Sequence, residues 1–206
     1  MQEQQTNCNE FHCHNQCHRK LTARRSFSVI FVIVAIIILK PLMVNQLLSR
    51  ADAYSAFGLY HDSVRQCKKV LLFDKDNREA WNKLGCSYKS KGDIKNSIET
   101  FERAIEIDLR NRVALFELGM IYALKKNYSK AIQYFEQVRK LGPETPEQRA
   151  EDMFSYNKSS LDMLAISYER LKDYDKAIIM LKELKSFYPD YVQAEKRLRR
   201  LEEPGS

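Results

Sequence analysis

The chain has 206 residues, 44% of them apolar and 30% charged, which is enough to build a core and excludes a wholly disordered protein. Its formal charge is +7, but residues 1–44 hold five Lys/Arg against two Asp/Glu, so the remainder carries only a weak excess with both signs mixed. That dispersion argues against nucleic acid as a partner, since such binding needs a concentrated basic stripe with stacking aromatics.

Residues 1–25 read as a polar tail without fixed structure. It holds Cys8, His12, Cys13, His14, Cys17 and His18, which are soft-metal ligands by type. Their spacing lacks the paired C-x2-C units of standard zinc sites, and Cys13 to His18 is C-x3-C-H, one residue longer than a haem attachment sequence. The favoured reading is a tail of reduced thiols with no metal and no cofactor. A metal- or haem-linked tail and lipidation of Cys17 are the competing readings.

Residues 26–44 are expected to form a transmembrane helix. Ser26 to Leu39 carries no charge, Arg19, Lys20, Arg24 and Arg25 precede it, and Leu42, Met43 and Val44 extend it past Lys40, which can snorkel. A cleaved signal peptide is the alternative, because Ala51-Asp52-Ala53 has the small-x-small form of a cleavage site. Cleavage there would cut into the first repeat described below, so an uncleaved anchor is preferred. The basic flank predicts the N-terminus inside and the rest of the chain on the far side. In a bacterium that is an inner-membrane protein with a periplasmic domain; an organelle membrane with the domain in the cytosol is the other reading.

From Val44 onward the sequence returns the same pattern every 34 residues. The unit 78–111 places Trp81, Leu84, Gly85 and Tyr88 at positions 4, 7, 8 and 11, then Ser97, Phe101 and Ala104 at positions 20, 24 and 27. The unit 112–145 repeats this with Leu115, Leu118, Gly119, Tyr122, Ala131, Phe135 and Val138, adding Pro143 at position 32. The unit 158–190 does so with Leu161, Leu164, Ala165, Tyr168, Ala177, Leu181 and Leu184, and Pro189. The first unit, 45–77, is degenerate, with Arg50 at position 7 and Cys67 at position 24. Apolar residues at these intervals make two amphipathic stripes separated by a break, so each unit is predicted to be a helical hairpin. Small residues at positions 8 and 20 mark where its two helices approach closely, and hairpins of this kind bury their faces only by stacking.

Residues 146–157 interrupt the period. Thr145-Pro146-Glu147-Gln148 is a helix-start sequence, and Ala150, Met153, Phe154, Asn157 and Leu161 continue at helical spacing. The pattern predicts a helical insertion running unbroken from Pro146 to about Leu171, with Met153 and Phe154 as a docking ridge or as cover for the neighbouring hairpin. Residues 191–206 hold a capping helix and tail; Glu195, Glu202 and Glu203 among its basic residues suggest a solvated face.

These residues resemble the tetratricopeptide repeat family, whose W-x2-L-G-x2-Y and A-x3-F-x2-A signature is nearly complete in 78–111. The resemblance implies an all-α fold, a right-handed superhelix of stacked antiparallel hairpins, here behind a transmembrane helix. It also implies a concave wall lined by the first helix of each unit at positions 2, 5, 9, 12 and 13. Carried onto this chain, the partner-binding residues are Asn82, Cys86 and Lys89 in the second unit, Val113, Phe116, Met120 and Leu124 in the third, and Asp162, Ile166, Glu169 and Arg170 in the fourth. Chaperone-binding members use a Lys/Asn clamp at places that Leu48 and Asp52 occupy here, so chaperone tails are not expected ligands.

The chain shows no catalytic constellation: its carboxylates are scattered, His61, read as a turn residue, is the single histidine outside the tail, and phosphate loops and nucleophile elbows are absent. It is not expected to be an enzyme. Two functions remain: a membrane-anchored adaptor that grips a helical or extended segment of a protein partner, and a self-associating scaffold, a homo-oligomer along the membrane. Cys67 and Cys86, at positions 24 and 9, are expected on different faces and therefore not to form a disulfide.

Overall fold

The computed structural model describes residues 39–143, 145 and 155–203. The chain divides into two units, Met1–Ser49 and Arg50–Ser206. In the first, residues 39–49 are helical, with Leu39, Leu42 and Met43 exposed. The rest of the expected span, 26–38, lies outside the described residues, as do the tail residues from Cys8 to His18. Among the described residues no helix is long and apolar enough to cross a membrane.

The described residues of the second unit are all-helical. The helix that begins at 39 ends at 56 (α1, 39–56) and is followed by α2 (Tyr60–Phe73), α3 (Arg78–Ser90), α4 (Ile94–Ile107), α5 (Arg112–Leu124) and α6 (Tyr128–Lys140). After the insertion come α7 (Tyr156–Arg170), α8 (Tyr174–Phe187) and α9 (Val192–Glu202). His61 is in the first turn of α2 rather than in a turn between helices.

Side-chain caps start most of these helices. Asn77, Asp93, Asn111, Asn127, Ser155 and Asp173 each accept a hydrogen bond from the backbone N–H three residues on, satisfying a donor that the helix leaves orphaned. Ser155 corrects one expectation. Its extended backbone (φ −89°, ψ 102°) and its cap on Lys158 start α7 at Tyr156, so the helix is not continuous from Pro146; residues 146–154, Met153 and Phe154 among them, lie outside the described residues. The turn inside each hairpin closes the same way four times, with a left-handed residue at Gly58, Gly92, Lys126 and Lys172 whose successor donates to the carbonyl of the position-11 tyrosine.

Close approach within the hairpins is tuned as a pair. A Cβ on Gly85 would lie 2.6 Å from the Phe101 ring, and one on Gly119 would lie 2.5 Å from the Phe135 ring. Where position 8 is alanine, position 24 is smaller: Ala165 faces a unit with Leu181, and Ala51 one with Cys67, all of them essentially fully buried. The degenerate cysteine is thus a volume match, and the four hairpins keep close packing with three kinds of pair, Gly with Phe twice, Ala with Leu and Ala with Cys. Between hairpins, Phe101, Ala104, Ala114, Leu118 and Ile121 form one cluster across α4 and α5. A larger one joins α5 to α9 around Phe135, Leu161, Leu164, Leu181 and Leu184, closed by Ala194 and Leu198 of α9.

Candidate binding groove

The first helices of the units, α3, α5 and α7, follow one another along the stack, and α9 takes the same place one register further on: the fourth unit begins at Lys158, and a further 34 residues lead to Val192. Position 6 of each first helix reaches back to the unit before it. Lys83 pairs with Asp52 at 2.5 Å, Glu117 with Lys89, and Arg197 with Glu169 and Asp162. Between the third and fourth units the rung is apolar, because position 12 is Ala123 and position 6 is Met163, both packed on the shared core.

A cleft of about 580 Å³ opens at that apolar rung. Phe116, Met120 and Met163 supply its apolar wall; Lys158 and Asp162 bring charge to it. Phe116 is held from behind by the rings of Phe135 (5.7 Å) and Tyr156 (5.6 Å, edge-on), so this wall is fixed before any ligand arrives. A second cleft of about 960 Å³ lies between α7 and α9 and shares Asp162 and Tyr191 with the first. The Tyr191 hydroxyl donates to Asp162 at 3.2 Å, and the Lys158 ammonium sits 4.3 Å from the Tyr191 ring centroid. Partial burial, with Asp162 beside it, raises the Tyr191 phenol above its ordinary value, so the hydroxyl stays protonated as a donor.

Comparison with known proteins gives these units a name. Residues 79–111, 113–145 and 159–191 each match a tetratricopeptide repeat. The chain carries three tetratricopeptide repeats. They coincide with the second, third and fourth units of the period. A search of curated proteins returns no match. Among solved structures the fold is similar to that of MamA (21% identity, TM-score 0.62, covering 77% of this chain and 80% of that one). It is also similar to MamA 41-end from Desulfovibrio magneticus RS-1 (14%, 0.60, 77% and 83%) and to pilF of Pseudomonas aeruginosa (15%, 0.63, 79% and 68%). At these identities the likeness is one of fold.

Of the residues expected on the concave wall of the tetratricopeptide repeats, Phe116, Met120, Asp162, Ile166, Glu169 and Arg170 line the two clefts. The others do not join them. Asn82 exchanges hydrogen bonds with Asn111 (2.9 and 3.2 Å), and Asn111 in turn caps α5, so Asn82 fixes the junction between repeats. Lys89 is paired with Glu117; Val113 is half-buried outside both clefts, and Leu124 stands 73% exposed at the end of α5. Arg197, Arg200, Lys158, Met163 and Tyr191 line the clefts without having been singled out in the sequence. Extending the 34-residue register one unit further finds Arg197, at position 6. Among the described residues no group of His, Cys, Asp and Glu is placed to hold a metal.

Cys67 and Cys86 are free thiols, and burial pushes each up to about 11. A thiol held protonated in the fold but free to ionise once unfolded makes the unfolded state bind fewer protons as pH rises. Stability is then full below the ordinary thiol value and is lost as pH rises through that of the fold. We expect the urea midpoint to fall between about pH 9 and 11. Several tyrosines and lysines act with the same sign, so a shallower fall in Cys67→Ala than in the native protein is what assigns part of it to the thiol; parallel curves would remove that assignment.

Proposed function

We propose that this protein is a membrane-tethered adaptor that holds a helical or extended segment of another polypeptide in its concave face and so supports assembly of a complex at the membrane. The observation that carries the binding reading is the apolar rung at Ala123 and Met163. It interrupts an otherwise charged series between repeats and opens the Phe116–Met120 cleft, with Lys158 at its edge to meet a flanking acidic group. Tetratricopeptide repeats as a family support protein–protein contacts. The tether rests on the charge-free run from Ser26 to Leu39 behind four basic residues, with no linker before the first hairpin. The reading places the N-terminus inside and the repeats on the far side, in a bacterium the periplasmic face of the inner membrane; an organelle membrane with cytosolic repeats fits the same topology argument.

The test is a photo-crosslinker at Met120, which is partly exposed, in the full-length protein in its native membrane. The expected result is an adduct with one other polypeptide, mapped to a segment with an apolar residue at the adduct, and lost in Met163→Glu. An adduct with a second copy of this chain would replace the adaptor by a self-associating scaffold. Adducts spread over many proteins and unchanged by Met163→Glu would remove the cleft from the reading.

A further inference from the structure

The second helix of the degenerate first hairpin differs from its counterparts in charge. In α2 the residues Arg65, Lys68, Lys69, Leu72 and Phe73 are exposed and share one face, opposite the buried Ser63, Gln66, Cys67 and Val70. Leu72 is 85% exposed and Phe73 50%, and at the other end of the helix Phe57 (81%) and Leu59 (49%) are exposed as well. One acid, Asp62, lies beside this face, 3.3 Å from Arg65.

Most of the equivalent face of α4 has the opposite chemistry. Arg65 corresponds to Glu99, Lys68 to Glu102 and Leu72 to Glu106, while Lys69 keeps a basic counterpart in Arg103, which is paired with Glu106. All three glutamates are exposed, as their counterparts are, so packing in the stack does not dictate the difference. Basic side chains flanked at both ends by large exposed apolar ones, over about 20 Å of helix, are the arrangement that settles at an anionic bilayer surface: ammonium and guanidinium groups meet headgroup phosphates while the apolar ends enter the acyl boundary.

We propose that the outer face of α2 is a contact surface for anionic phospholipid. The inference rests on the tether proposed above, which also selects lipid over an acidic protein as the occupant. The apolar run ends at Val44, and α2 begins at Tyr60, 16 residues further along the chain. Of the described second helices, α2 is therefore the one nearest in the chain to the bilayer. With its hairpin seated on the surface, the first hairpin would fix the orientation in which the remaining repeats meet a partner.

The test places benzoylphenylalanine at position 72, and in a separate protein at Glu106, the same register one repeat on. Each full-length protein is reconstituted into phosphatidylcholine vesicles with and without phosphatidylserine, traced with fluorescent lipid, and floated after a carbonate wash. The expected result is flotation of both, with lipid adducts at position 72 several-fold above position 106 when phosphatidylserine is present. High salt, or Arg65→Glu with Lys68→Glu and Lys69→Glu, should lower that signal about tenfold. Failure to float would overturn the tether and this inference together. Flotation with equal adducts at 72 and 106, or with adducts at 72 indifferent to phosphatidylserine and to the charge reversals, would overturn the lipid surface and leave the tether standing. In native membranes, an adduct at 72 with an acidic protein instead of lipid would also overturn it.

Discussion

Gly119→Ala is expected to destabilise the protein, against the usual direction of that change. In a helix interior alanine is favoured over glycine by about 1 kcal/mol. Here the new methyl would sit 2.5 Å from the Phe135 ring, whose atoms are fully buried and packed on every side, so α5 and α6 must separate or the ring must leave its rotamer. Overpacking of that kind costs about 1–3 kcal/mol, which outweighs the propensity gain. Phe135→Leu alone should also destabilise, by leaving a void, at a cost of about 1–2 kcal/mol. Together the two substitutions recreate the Ala165 and Leu181 pair that the fourth unit already uses, both 0% exposed. The double variant is therefore expected to be more stable than the sum of the single losses by about 1 kcal/mol or more, read from urea midpoints in a double-mutant cycle. A neutral Gly119→Ala, or losses that simply add, would refute the account of how these hairpins are matched.

That same pairing explains what the sequence made legible. A small residue at position 8 with a ring at position 24 is a contact between two helices of one hairpin, and a fixed spacing records it. The helix starts are legible for a similar reason, since Asn77, Asp93, Asn111, Asn127 and Asp173 act on a backbone donor only three residues away. Ser155 is the exception. Apolar spacing from Met153 through Leu164 reports which face is covered, but it is blind to a single extended residue, and a serine cap competes locally with helix continuation. The groove divides in the same manner. Phe116, Met120, Asp162 and Glu169 face the clefts because register sets the direction of a side chain on a helix. What register leaves open is whether the neighbouring repeat already uses that side chain. Asn82 goes to Asn111, Lys89 to Glu117, and Asp162 and Glu169 to Arg197, and each of those partners lies 28 or more residues away.

Arg197 carries the second large effect. It lies on the helix expected to present a solvated cap, yet its side chain is 16% exposed, and it donates to Asp162 and, through Nε at 2.9 Å, to Glu169. Those carboxylates are 17% and 19% exposed, and Glu169 takes one further hydrogen bond, at 2.9 Å, from the more exposed Arg200. In Arg197→Glu, three carboxylates would share a mostly dehydrated site in which Glu169 keeps its bond to Arg200 and Asp162 loses its arginine partner. Breaking a buried pair costs about 3–5 kcal/mol, and allowing for the water that still reaches this site we expect a loss of about 2–3 kcal/mol. The loss should be local. Once α9 lifts, Ala194 and Leu198 leave Leu181 and Leu184 uncovered, whereas the Phe101–Leu118 cluster holds no residue of α8 or α9. Hydrogen exchange should then accelerate in α8 and α9 while α3 and α4 keep their native protection. Arg197→Lys retains the charge but loses the fork that spans two carboxylates, and should cost about 1 kcal/mol. Uniform acceleration across all helices would mean that the stack unfolds as one body, and native exchange throughout would mean that the ion pairs do not hold α9. A local loss would also separate stability from recognition, because α9 forms a wall of the 960 Å³ cleft while Phe116, Met120 and Met163 stand on α5 and α7. Arg197→Glu would then remove the second cleft and leave the apolar wall of the first, so any binding that survives it must be carried by that wall.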